Sequence, residues 1–138
     1  MSNISNNNQH KVIVINGDHF FDLPGFYEEV SKVFMKDTDW KVGTLDGFND
    51  ILYGGYGVFD NKEEVQIIWK NSLKSQQDLG VEATRMFYES KIIQGKPFNV
   101  ELIYKKLEEL LVGSGQTLFD ILIEIIQCHE NNITLILE

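Results

Sequence analysis

Two aspartates, Asp46 and Asp50, stand four residues apart in the stretch TLDGFNDIL, residues 44–52, with Gly47 between them. Carboxylates at that spacing share one face of a helix and repel each other there by a few tenths of a kcal/mol. A glycine inside a helix adds a cost of about 1 kcal/mol relative to alanine. Paired acids serve acid–base catalysis, divalent-cation binding or recognition of a cationic partner. Glycosidase-type chemistry needs two carboxylates facing each other across a bond, and two acids on one outer helix face have no second wall. A magnesium site is usually completed by a substrate phosphate. No phosphate-cradling glycine–lysine loop and no dinucleotide-binding glycine motif is present, and GGYG at 54–57 follows a helix rather than a strand, so it reads as a turn. Recognition of a cationic partner by these acids is the expectation, with an enzyme using the acidic pair ranked last.

The other reactive side chains form no motif. His10, His19 and His129 share no metal-ligand spacing, so no zinc site is expected. The lone Cys128 excludes an intrachain disulfide and a multi-cysteine metal centre. His129 follows it directly, and sequence neighbours on a helix do not face each other, so no Cys–His dyad is expected. Neither a catalytic residue, a metal nor a cofactor follows from these residues.

At 138 residues, with 43% hydrophobic and 24% charged residues, the chain is expected to form a single domain over 11–138, preceded by a polar, flexible tail over 1–10. That tail lacks the apolar core of a signal peptide, and no window suits a membrane span. With one cysteine, the expectation is a cytoplasmic protein. The net charge of −9 argues against nucleic acid as a partner. Residues 18–64 hold 11 acids against four lysines, a net of −7, and an acidic half steers a basic partner.

The elements that must position these acids are legible as periodic runs. VIVI (12–15) followed by Asn16-Gly17 reads as a buried strand and a turn, VQIIW (65–69) as a second strand and ITLIL (133–137) as a third. Helical spacing predicts helices over about 25–36, 44–52, 82–94, 99–112 and 117–129, with a short piece over 73–79. Three apolar strands separated by helices predict an α/β fold, a small three-stranded parallel sheet covered by helices. On the helix over 44–52, Leu45, Phe48, Ile51 and Leu52 fall within one arc, and Asp46, Asp50 and Tyr53 fall on the other.

TLDGFNDIL resembles the signature helix of the barstar family, small bacterial inhibitors of ribonucleases, through Thr44, Leu45, Asp46, Gly47, Asp50 and Leu52. VIVING (12–17) is similar to the family's first strand and turn, Trp40 to the aromatic in the loop before the signature helix, VQIIW (65–69) to the second strand, and the last helix with ITLILE (133–138) to the family's ending. The likeness covers roughly residues 12–80 and 117–138. The family's shorter members lack anything like 81–113, which reads here as an inserted helical hairpin before the last helix. Its five acids and five bases balance, so it is expected to pack on the sheet's helices away from Asp46 and Asp50.

The resemblance implies an immunity- or antitoxin-like protein that blocks a basic ribonuclease, secreted or a toxin, with its acidic helix and the preceding loop. The partner-binding residues it implies are Trp40, Gly43, Thr44, Asp46, Gly47, Asn49, Asp50 and Glu124. Two positions depart from the pattern. Asn49 stands where the best-known inhibitor of the family has a tryptophan. The partner-contacting glutamate of its last helix aligns with Ile125, and Glu124 is the adjacent acid. Gly47 is expected to open the space between the two aspartates to a partner loop. The alternative reading is an interaction module of the same fold with a non-nuclease partner.

Overall fold

A β-branched run bounded by turn residues has to bury its side chains, and three such runs do so side by side. The computed structural model describes residues 11–35, 39–54 and 63–138. The strands β1 (Lys11–Asn16), β2 (Val65–Lys70) and β3 (Ile133–Leu137) form one parallel sheet in the order β1-β2-β3. Ile15 lies opposite Trp69, and Trp69 opposite Leu137. Six helices are described: α1 (Leu23–Phe34), α2 (Leu45–Ile51), α3 (Ser72–Asp78), α4 (Val81–Gln94), α5 (Val100–Leu111) and α6 (Leu118–Gln127). The expected α/β fold is therefore present, and every strand and helix boundary falls within two residues of its sequence reading. The tail over 1–10, the loop residues 36–38 and the turn glycines Gly55 and Gly57 lie outside the described residues. No described helix is long and apolar enough to cross a membrane.

The sheet is covered unequally. Ile13, Ile15, Val65, Ile67, Trp69 and Ile133 are buried on one face. On the other, Val14, Ile68 and Ile136 are half-buried and Val12 is exposed. Parallel sheets usually bury both faces; here the deep core lies on one.

Aromatic rings dominate that core. Trp69 stacks on Phe26 with centroids 5.4 Å apart, and its flanks meet Phe20 and Phe119 edge-on. Phe26 in turn meets Phe48 of α2 edge-on at 5.1 Å. The buried Trp69 indole N–H donates to Ser75 Oγ at 3.0 Å, so the ring carries no unsatisfied donor. Gly17 explains the Asn-Gly turn after β1. A Cβ at Gly17 would lie 2.7 Å from both Ser75 Oγ and the Lys70 carbonyl oxygen. The glycine is needed for close approach of backbone to backbone, not for an unusual φ.

Two groups invisible in the periodicity fix the layers. Glu29 is buried, its Oε2 accepting from the Asn16 backbone N–H at 3.0 Å and its Oε1 lying 2.9 Å from His19 Nδ1. Thr84, fully buried on α4, donates from Oγ1 to the Gly80 carbonyl and accepts the Leu118 N–H, both at 2.7 Å. The hairpin of α4 and α5 has its own small core of Tyr88, Ile103 and Leu110, with Lys91 Nζ 4.0 Å above the Phe98 ring. Thr84 ties this unit to the first turn of α6.

Replacing Thr84 by valine keeps the shape but leaves the buried Leu118 N–H without an acceptor, which costs about 1–3 kcal/mol. A Thr84→Val variant is expected to lose that much in urea unfolding. Gly17→Ala, pressing on two backbone carbonyls, is expected to lose about 1–3 kcal/mol in the same assay. Unchanged midpoints would contradict both assignments.

Candidate partner-binding site

The acidic helix is seated by its apolar arc. Phe48, Ile51 and Leu52 are buried and Leu45 is half-buried, while Asp46, Asp50 and Tyr53 are exposed, as the 100° periodicity requires. Burying a phenylalanine or isoleucine contributes about 1.5–3 kcal/mol each. Phe48 and Ile51 together therefore outweigh the roughly 1 kcal/mol cost of a helical glycine and the few tenths from acid repulsion. Thr44 is the N-cap, its Oγ1 accepting the Gly47 N–H at 2.8 Å. Asp46 lies in the first turn, where the helix dipole favours an anion.

Gly47 has a structural role. A Cβ there would lie 3.1 Å from Thr44 Oγ1 and 3.7 Å from Cη2 of Trp40. The space above the glycine is therefore bordered by the cap and the Trp40 ring. Trp40 itself is 47% exposed, an aromatic surface beside the first turn. Gly43 is exposed, with nothing within 4 Å of a Cβ built on it.

Asn49 borders the cleft between α2 and α6 and also makes a contact within the fold. It is half-buried, and its Oδ1 accepts from His129 Nε2 at 2.8 Å. His129 is buried and meets Tyr53 edge-on at 4.6 Å, so it wedges α2 against the end of α6. With Nε2 committed to Asn49, His129 is an inter-helix tie. On α6, Ile125 packs against the core and Glu124 is exposed. The outward acid is thus Glu124, and it accepts from Gln116 Nε2 at 3.2 Å.

These residues meet in a cleft of about 390 Å³ between α2 and α6, bordered by Asp46, Asn49, Tyr53, Glu124, Ile125 and His129. Exposed Cys128 lies at its rim, and among the described residues no lysine or arginine lines it. Lys41, in the loop before α2, borders a different cleft with Lys32, Glu28, Glu29 and His19. Among the described residues no cluster of three or more metal-ligating side chains exists. The acidic pair and Glu124 came from the sequence; Tyr53 as a cleft wall and His129 as the tie did not, because His129 lies 80 residues from Asn49 and carries no local motif.

No family model, curated protein or solved structure matches the chain.

Burial also sets the protonation of the tie, holding the His129 imidazole below its ordinary value of 6.5. The folded state then binds this proton more weakly than the unfolded chain does. Acid therefore favours unfolding, and the contribution of His129 to stability is lost as pH falls through about 6.5 and below. Between about pH 7.5 and pH 5, urea unfolding of the wild type is expected to weaken more than that of His129→Gln. Equal slopes would mean that His129 does not carry the linkage.

Proposed function

We propose that the chain is a protein inhibitor of a basic ribonuclease, acting by occupying the nuclease active site with the exposed acids of α2 and α6. The observation that carries this reading is the arrangement of Asp46 and Asp50 one turn apart on a core-seated helix, with Glu124 across a cleft that no described lysine or arginine lines. A ribonuclease site is basic because it binds phosphates, and carboxylates held in fixed positions replace phosphates there. Long-range attraction from a chain of net charge −9 adds to the rate of encounter. Trp40 offers aromatic surface beside the acids, the residue type most enriched among energetic anchors. The resemblance of TLDGFNDIL and the flanking strands to the barstar family supports the same reading, and the parallel sheet agrees with it. On this reading the protein is a binder rather than a catalyst, it works in the cytoplasm, and its target is a secreted or toxin nuclease.

Of the eight residues implied by the resemblance, Trp40, Thr44, Asp46, Asp50 and Glu124 are the ones we assign to the contact or its framing. Gly47 and Asn49 act behind them, giving room to Trp40 and anchoring His129. Gly43 leaves the loop free of a side chain beside the cap.

Truncating one member of a charge pair that is buried on binding costs about 2–5 kcal/mol, mostly through a faster off-rate. Asp46→Ala and Asp50→Ala are each expected to weaken calorimetric affinity for the nuclease by that amount. The melting temperature of Asp50→Ala is expected to stay level or rise slightly, since repulsion in the free protein is relieved, and that of Asp46→Ala to fall by no more than a few degrees, since the favourable first-turn anion is lost as well. Unchanged affinity with lowered melting temperatures would make the aspartates structural and remove the site.

A further inference from the structure

The hairpin reaches closer to the acidic helix than its balanced charge led us to expect. Its first helix, α4, forms one wall of a second groove of about 450 Å³, with Met86, Phe87 and Ser90 facing Pro24, Tyr27 and Leu45. Thr44 and Gly43, at the start of α2, complete that opposite wall. Leu45 borders this groove and the acidic cleft alike, so the first turn of α2 is a ridge between the two. Asp46 sits on the ridge. Burial, with the nearby charge of Asp46 adding to it, pushes the Tyr27 phenol in the groove up to about 12. The groove is apolar on its floor, and Met86 is 59% exposed beside it.

We propose that this groove receives an apolar side chain of the same cationic partner, a residue that neighbours the lysine or arginine engaged by Asp46. The inference rests on the inhibitor reading above and adds a second anchoring point to it. Charge selects the occupant. A second copy of this chain would bring another −9 charge against the acidic ridge, and like charges across an interface cost several kcal/mol. Nucleic acid is opposed for the same reason. A basic protein is attracted to the ridge, and one that straddles it covers both clefts at once. Rim charges on the groove itself are one acid, Asp22, and one base, Lys91, so the pocket contributes desolvated apolar contact rather than field. Methionine at a recognition surface suits this role, since its flexible thioether adapts to the shape it meets.

The probes are purified, strongly basic small bacterial ribonucleases, titrated by calorimetry against the full chain. Met86→Lys and Ser90→Arg place a cation in the groove, and Val112→Lys places one at the exposed end of α5 as a control. Asp46→Ala reports on the acidic ridge. The expected result is at least a tenfold loss of affinity for Met86→Lys, Ser90→Arg and Asp46→Ala, with Val112→Lys losing much less and all variants keeping the wild-type melting temperature within a few degrees. Loss for Asp46→Ala without loss for the two groove variants would overturn the groove and leave the inhibitor reading standing. Equal loss for Val112→Lys would also overturn it, because general charge would then account for the effect. A wild-type protein that binds none of the nucleases, or a dimer at micromolar concentration that Met86→Lys dissolves, would overturn the inhibitor reading or the choice of occupant respectively.

Discussion

Phe26 is held by rings on three sides, and the position of the acidic helix depends on it. Trp69 stacks on it from the central strand, Phe20 meets it edge-on at 5.5 Å, and Phe48 meets it edge-on from α2. Edge-to-face and offset pairs of this kind contribute about 0.5–1.5 kcal/mol each beyond their buried area. More important than the energy is the geometry. A ring clamped between the middle strand and the helix leaves α2 little freedom to rotate about its axis, and rotation is the motion that would turn Asp46 and Asp50 away from a common direction. The second clamp is Phe34, whose ring meets Phe48 from the far end of α1 at 6.5 Å. The polar tie from His129 to Asn49 fixes the same helix from the α6 side.

This arrangement separates where the helix gains its stability from where it would do its work. All of the favourable burial lies on one arc, through Phe48, Ile51 and Leu52, and all of the charge on the other. The mutual repulsion of the acids is a few tenths of a kcal/mol, small beside the burial below them. A binder built this way meets its partner with charges already in place, and the ordering cost that long flexible acids would incur on association is largely avoided.

Most of the fold was legible in the sequence, for a physical reason. Apolar runs such as VIVI and VQIIW, and helical stripes such as Leu118, Leu122 and Ile126, record burial directly, and burial is what decides element type and face. The helix starts were legible too, since Thr44 and Thr117, which open the runs 44–52 and 117–129, both accept from the first turn. The ties between elements were not. Glu29 reads as one more acid on a charged helix, yet it is buried against Asn16 and His19. Thr84 reads as an ordinary helical residue, yet it joins the hairpin to α6. Such contacts join residues far apart in the chain through one hydrogen bond each and leave no period behind. The contact that Gly47 leaves to Trp40 is hidden in the sequence for a related reason. Trp40 lies seven positions earlier in a loop, and loops carry no spacing rule that would bring the two together.

The hairpin of α4 and α5 shapes the surface without changing its net charge. With five acids and five bases it leaves the field of the molecule as it was. Its own core holds α4 to α5, and the Thr84 bond holds α4 to α6, so the hairpin is fixed at two levels rather than hung on a hinge. A wall fixed in this way gives the ridge at Leu45 a second side. On the proposed reading the acids would decide which sign of partner approaches, whereas a rigid apolar wall would discriminate among partners of that sign by shape. Specificity of that kind comes from what cannot fit as much as from what can. Steering by charge and selection by shape can then change independently, because they are carried by different helices packed around the same first turn of α2.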